Sequence, residues 1–262
     1  MTIRTNSTLN IQHSTLLFIH GWATDSWVWR NQVREFSKDY NVISINLPGY
    51  SGKDNWTETS LQPAIDKILR ITHRTAHSTD LVGISWSLGA SVLMSIAVKE
   101  PEIFKGLILV GATPCFVKRN DFPWSQSKPL AKRMLRDLKN DPEETLSRFY
   151  PLNFTDKELA DKEAQGFIRH YHSSLITHHS SLLLSLEALL NLDMRDDIKK
   201  IKAKTLVIHG SKDAVCPVGA GEYIAKNIKD VCLEIFKDAG HAPFLSRAEL
   251  FNQAVREFLK RL

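Results

Sequence analysis

Cysteine is scarce in this chain: Cys115, Cys216 and Cys232 are the only three in 262 residues. An odd number without paired spacing offers neither a disulfide framework nor a zinc motif, so buried reduced thiols are expected. No apolar run reaches the roughly 18 residues that a membrane-spanning helix needs. The first fifteen residues are polar and lack the basic-then-apolar layout of a signal peptide. A polybasic run is missing too, and a net charge of +5 is too mild to argue for nucleic acid. Internal repeats and low-complexity tracts are absent. These absences lead us to expect a cytoplasmic monomer with no nucleic-acid and no membrane partner.

What is present is ordinary globular composition, 43% hydrophobic and 24% charged, at a length that supports one full core. Short apolar runs bounded by turn residues alternate with longer amphipathic stretches, the pattern of an α/β fold with a mostly parallel sheet. Strands are expected at 15–19, 41–46, 80–84, 106–110, 205–209 and 232–236, and helices at 27–36, 63–70, 88–98, 219–227 and 248–259. The alternation fails over 113–193, where helical patterns appear without a convincing strand. This stretch is expected to be a helical cap, or lid, inserted into a core made of 1–112 and 194–262. It would lie over the carboxyl ends of the strands, where open α/β sheets place their ligands.

The strongest local signal is Leu81-Val82-Gly83-Ile84-Ser85-Trp86-Ser87-Leu88-Gly89-Ala90, a strand running straight into a helix with serine at the junction. Such a turn exposes a serine hydroxyl above the sheet and demands small residues two before and two after it. Ser87 has Ser85 and Gly89 in those places, although glycine is usual at the first. The other parse makes Ser85 the nucleophile. Ser87 is preferred because the helix-forming run starts at Leu88, so helix amides can face an oxyanion. Phe18-Ile19-His20-Gly21-Trp22 follows the first strand. Near the C-terminus, one strand leads to His209-Gly210-Ser211-Lys212-Asp213 and the next to Asp238-Ala239-Gly240-His241. A serine hydroxyl is a weak nucleophile until an imidazole takes its proton, and a carboxylate orients that imidazole. Ser87, Asp213 and His241 supply these groups in that order; Asp193, Asp196, Asp197 and Asp238 are rival acids read as surface carboxylates or caps. His170, His172, His178 and His179 sit close in sequence without matching carboxylates or cysteines, so no metal is expected.

Together these elements resemble the α/β-hydrolases across essentially the whole chain, and the strand-to-helix turn resembles their nucleophile elbow. The resemblance implies an oxyanion hole formed by the amides of Trp22 and Leu88, with no cofactor. His20-Gly21-Trp22, Val28-Trp29-Arg30, Asn46-Leu47-Pro48-Gly49-Tyr50, Trp86-Ser87-Leu88-Gly89, Pro114-Cys115-Phe116, Arg148-Phe149 and Gly240-His241-Ala242-Pro243-Phe244 are similar to the esterases that hydrolyse the methyl ester of pimeloyl-acyl carrier protein in biotin synthesis. This closer resemblance implies substrate contacts from Trp22, Trp86, Ser87, Leu88 and His241, and an acyl channel lined by Phe149, Tyr150, Pro151, Leu152 and Asn153. It also implies that an acidic acyl carrier protein docks on basic cap residues. Arg148 matches one such position, whereas Glu144 stands where an arginine is expected. Lys128, Lys132, Arg136 and Lys139 share one helical face by their spacing and could compensate; a solvated helix face explains the same stripe. A broad carboxylesterase, a carbon–carbon bond hydrolase of the same fold, and a non-catalytic binding protein on this scaffold remain alternatives.

Overall fold

A computed structural model describes residues 14–50, 54–75, 80–173 and 179–262. Six strands, β1 (Thr15–Ile19), β2 (Asn41–Ile45), β3 (Leu81–Trp86), β4 (Gly106–Val110), β5 (Lys204–Gly210) and β6 (Val231–Phe236), form one parallel sheet in the order β2-β1-β3-β4-β5-β6. The central strands read as nearly continuous apolar runs because helices cover both faces: every residue of β3 and β4 is buried. Edge strand β6 alternates, with Glu234 turned to solvent.

Flanking the sheet are α1 (Arg30–Phe36), α2 (Gln62–Thr75), α3 (Leu88–Lys99), α8 (Val218–Asn227), the short α9 (Pro243–Ser246) and α10 (Ala248–Leu259); α4 (Lys128–Asn140), α5 (Pro142–Phe149), α6 (Lys162–Ser173) and α7 (His179–Asn191) all fall between β4 and β5. The expected helix at 27–36 begins instead as a 3₁₀ turn, Ser26–Trp29, capped by the Asp25 carboxylate on the Trp27 amide at 3.0 Å. β3 runs two residues further than its apolar pattern suggested and delivers the chain to Ser87 without a loop.

The segment between β4 and β5 closes on itself at its stem. Cys115 and Asp193 form an antiparallel bridge, and the Met194 amide donates to Pro114 O at 2.7 Å. Its helices reach the sheet side through several ties. Arg30 pairs with Glu163 at 2.6 Å, Tyr171 Oη donates to Asp25 at 3.0 Å, and Trp27 stacks on His170 with ring centroids 3.6 Å apart. Gly49, at φ +85°, is the chain's close approach to α7: a Cβ there would collide with the Ser181 side chain. All parallel strands end on one edge of the sheet, so the loops after β1, β3, β5 and β6 meet there. The chain order also reverses between β1 and β3, the place where such sheets bind ligands.

Candidate active site

Ser87 sits at the tip of β3 with φ 55° and ψ −118°, a conformation that costs a non-glycine residue about 1–3 kcal/mol. Its surroundings hold it there. The Ser87 amide donates to Val110 O at 2.9 Å, and its carbonyl accepts from Ala90 and Ser91 at 2.9 and 3.2 Å. Gly89 is required because a Cβ would lie 2.5 Å from His20 O. Ser87 is partly exposed amid buried neighbours. Ser85, by contrast, is fully buried and turns its hydroxyl onto Ile108 O at 3.3 Å.

His241 is 1% exposed. Its Nδ1–H donates to Asp213 Oδ2 at 2.7 Å, while Nε2 meets no hydrogen-bond partner among the described residues. The ring packs against Gly111, where a Cβ would be 2.8 Å from Cε1 and Nδ1. Gly111 follows Val110, the residue whose carbonyl takes the Ser87 amide, so imidazole and serine flank the same peptide. Trp86 Nε1 donates to His241 O at 2.8 Å, tying the histidine loop to the residue before Ser87.

Asp213 is held from four directions. Oδ1 accepts from the Val215 and Cys216 amides at 2.9 and 2.8 Å, and Oδ2 accepts from His241 and, at 3.2 Å, from His209 Nε2. Burial pushes the carboxyl's pKa upward, but the two histidines outweigh it and hold the group well below the usual carboxylate range. His209 Nε2 also faces Cys216 O at 2.6 Å; a carbonyl only accepts, so this nitrogen carries the proton. The rival acids lie outward. Asp238 is exposed, Asp193 pairs with Arg195 at 2.8 Å, and Asp196 and Asp197 pair with Lys199 and Lys200.

Neither the Trp22 nor the Leu88 amide donates to a protein acceptor among the described residues; Leu88 opens α3, where the first amides have no intrahelical partner. The turn holding Trp22 is built on His20. His20 Nε2 accepts from the Leu47 amide at 2.9 Å and Nδ1–H donates to Gly21 O at 2.8 Å. Burial lowers its pKa from 6.5 to about 4, so the ring is a neutral strut.

Several residues expected to touch substrate have other work. Trp86 is 1% exposed and packs on His241 and Phe244. Tyr150 is 1% exposed and its hydroxyl donates to Ala23 O at 3.1 Å. Asn153 is fully buried; its main-chain carbonyl accepts from the Ala242 amide at 3.1 Å and its Nδ2 donates to Tyr150 O at 3.0 Å. Their surfaces are closed by packing, which positions the loops around the site. Trp22 is 4% exposed, its Nε1 donates to Leu182 O at 3.2 Å, and its ring meets Phe149 edge-on at 5.0 Å. Phe149 and Pro151 are partly open and Leu152 is exposed. Phe149 and Leu152 line a mostly apolar cavity of about 430 Å³, with Leu130, Met134, Ala214 and Val215 among the other walls. Ala214 and Val215 directly follow Asp213, so this cavity reaches from the helices of the inserted segment to the acid loop.

Arg148, also on that cavity, is exposed and pairs with Glu144 at 3.5 Å. Lys128, Lys132, Arg136 and Lys139 are exposed along α4, and Arg136 contacts Asp137 at 3.2 Å. Of the four clustered histidines, His178 lies outside the described residues; His170 stacks on Trp27 and His179 Nε2 donates to Leu138 O at 2.8 Å. Among the described residues no group of three or more metal-ligating side chains could hold an ion, and no helix is long and apolar enough to cross a membrane.

The model of the Alpha/beta hydrolase family matches residues 16–254. The chain belongs to that family. Relatives named pimeloyl-[acyl-carrier protein] methyl ester esterase include one from Nitrosomonas europaea, 30% identical over 236 residues that cover 90% of this chain and 92% of the relative. Another, from Wigglesworthia glossinidia brevipalpis, is 32% identical over 251 residues, covering 94% and 93%. Among solved structures, an esterase from Exiguobacterium antarcticum superposes with a TM-score of 0.85 at 25% identity, covering 94% of this chain and 92% of that one. A bromoperoxidase from Bacillus anthracis shares the α/β-hydrolase fold at a TM-score of 0.86 and 19% identity, covering 95% and 92%.

Two features of the site escaped sequence reasoning. His209 lies four residues before Asp213, a spacing visible in the sequence but without meaning until the loop brings both side chains together. Glu158 contacts the histidine loop from 82 residues away; only its Thr155-x-x-Glu158 spacing, a helix-capping pattern, was legible.

Proposed function

We propose that this α/β-hydrolase is a serine esterase with Ser87 as nucleophile, His241 as general base and acid, and Asp213 as the residue that orients it. The observation that carries this reading is the His241 Nδ1–Asp213 Oδ2 hydrogen bond of 2.7 Å beside a strained, partly exposed Ser87. In this mechanism His241 Nε2 takes the Ser87 hydroxyl proton and Oγ attacks the ester carbonyl. The resulting oxyanion is held by the Trp22 and Leu88 amides. Collapse breaks the ester C–O bond, the proton on Nε2 passes to the departing alkoxide, and an alcohol leaves. Water then attacks the acyl-serine, giving its proton to His241, and Ser87 departs with that proton to release the carboxylic acid. The residues supply nucleophile, base and oxyanion donors without a cofactor.

The substrate we assign is the methyl ester of a pimeloyl chain carried on acyl carrier protein, yielding pimeloyl-acyl carrier protein and methanol for biotin synthesis. Support comes from the names of relatives at 30 and 32% identity and from the apolar cavity beside the acid loop. We assign residues 113–193 to a cap over a core of 1–112 and 194–262, and docking of the carrier protein to Arg148 and the Lys128, Lys132, Arg136, Lys139 face of α4. Such an enzyme would act as a monomer in the cytoplasm. The test is kcat/KM on pimeloyl-acyl carrier protein methyl ester beside free short-chain methyl esters. A preference of at least about tenfold for the carrier-bound ester is expected; equal values would make the chain a broad carboxylesterase. Failure of a fluorophosphonate to label Ser87 would remove the serine mechanism.

A further inference from the structure

Among the hydrogen bonds that hold the backbone around His241, two come from the inserted segment. The Ala242 amide donates to Asn153 O at 3.1 Å, the Gly240 amide donates to Glu158 Oε2 at 2.9 Å, and the His241 carbonyl accepts from Trp86 Nε1 at 2.8 Å. The segment presses closely here: a Cβ on Gly240 would stand 2.7 Å from Asn153 O and 3.0 Å from Glu158 Oε2.

Glu158 is a carboxylate only 1% exposed. Part of its position is explained locally. Its Oε2 accepts from the Thr155 amide at 2.8 Å while its own amide donates to Thr155 Oγ1 at 3.3 Å, a reciprocal capping-box arrangement across the turn that leads into the 3₁₀ turn Glu158–Ala160. The box does not account for the bond to Gly240. Nor does it account for an acid at this depth: among the described residues Oε1 has no hydrogen-bond partner, and its ion pair is a long one, to Arg247 Nη1 at 3.7 Å. Burying a charge so thinly compensated costs stability, whereas a charged acceptor makes its remaining bonds stronger and stiffer.

We propose that Glu158 is a positioning residue for the reaction, its carboxylate gripping the Gly240 amide and through it setting the imidazole of His241. This rests on the reading of His241 as the base. The consequence is that the base is placed partly by the cap: the core supplies Asp213 and Trp86, and the segment between β4 and β5 supplies the rest. Misplacing a catalytic group by about 1 Å costs on the order of a hundredfold in rate.

The test compares Glu158→Ala, Glu158→Gln and Glu158→Asp with wild type on one short p-nitrophenyl ester, with thermal melting to confirm folding and Ser87→Ala and His241→Ala as controls. Glu158→Ala should lower kcat by about ten- to a hundredfold with KM within about twofold. Glu158→Gln, whose carbonyl oxygen can accept both amides but without the charge, should recover part of the loss. Glu158→Asp keeps the charge but withdraws it by one methylene, so it should fold even if the alanine variant does not, and show the same fall in kcat. A lowered melting temperature with kcat unchanged in Glu158→Asp or Glu158→Ala, beside inactive Ser87→Ala and His241→Ala, overturns the inference and leaves the serine mechanism standing. Wild-type rates in Ser87→Ala and His241→Ala overturn both.

Discussion

Replacing Asp213 with asparagine tests the site most sharply, because the outcome follows from which atoms donate. Oδ1 lies under two amides, Val215 and Cys216 at 2.9 and 2.8 Å, and an asparagine must leave its single carbonyl oxygen there. Its NH₂ then faces His241 Nδ1 and His209 Nε2. His241 can meet a donor only by accepting at Nδ1, which moves its proton to Nε2. That is the nitrogen that must be bare to take the Ser87 proton. The wrong tautomer is expected to lower kcat by about 10⁴. At His209 two donors meet, since Nε2 is already committed as a donor to Cys216 O. One buried donor pairing is lost there, at a cost of about 1–3 kcal/mol, set against the about 5–15 kcal/mol that stabilises a typical domain. The variant should therefore fold, melt several degrees lower and hydrolyse a short p-nitrophenyl ester about ten thousandfold more slowly. Nitrogen NMR of His241 should show the proton on Nε2. A variant within tenfold of wild-type kcat would refute the reasoning.

Ser87→Ala should lower turnover of the same ester by at least about a thousandfold, while Ser85→Ala, which removes only a bond to Ile108 O, should leave most of it; the reverse pattern would reassign the nucleophile. His20 yields a pH prediction. Its folded pKa of about 4 lies below its ordinary 6.5, so between these values the unfolded chain binds the extra proton and stability falls as pH drops. At 1.36 kcal/mol per unit the full loss is about 3 kcal/mol. Urea unfolding at pH 7, 5.5 and 4 measures the slope, and an unchanged slope in His20→Gln would reject the assignment. Reversing charge in Arg148→Glu and Lys132→Glu should raise KM for the carrier-bound ester by about fivefold and spare free short esters. Salt should weaken the first reaction alone, since exposed charges are screened beyond about 8–10 Å. Equal effects on both substrates would place the damage in the cap, and none on either would leave the stripe as a solvated face.

The sheet and the elbow were legible because their determinants are local. Apolar runs such as Gly106-Leu107-Ile108-Leu109-Val110 need burial on both faces, and Ser87 between a strand and a helix with Gly89 beyond it has few other uses. β3 ran past its expected end because Ser85 and Trp86 are satisfied only by neighbours: Ser85 pairs in register with Ile19 and Leu109, and Trp86 fills the space over Gly21. The residues that brace the site were not legible for the same reason. Tyr150 and Asn153 belong to a stretch read as a channel wall, yet the Tyr150 hydroxyl reaches Ala23 and the Asn153 main-chain carbonyl reaches Ala242, 127 and 89 positions away in sequence. Spacing carries no trace of such contacts.

That bracing bears on how the esterase reading divides its labour. The strained serine and the Leu88 amide depend on the core alone, held by Val110 O and the first turn of α3, whereas the Trp22 amide rests on the His20 turn and is also steadied from the segment between β4 and β5 by Leu182 and Phe149. The base depends also on 153–158, and Phe149 and Leu152, a few residues earlier in the same segment, line the apolar cavity. On the proposed reading, a segment that receives the acyl chain and also anchors His241 is not reshaped for a new substrate without moving the base. Substitutions at 149–152 that change acyl preference should therefore change kcat even on esters too short to reach the cavity, whereas those on Leu130 or Met134, which wall the cavity from α4, should act on KM for long chains and leave short esters alone. The proposed function thus expects specificity and catalysis to separate on α4 and to join from Phe149 onward.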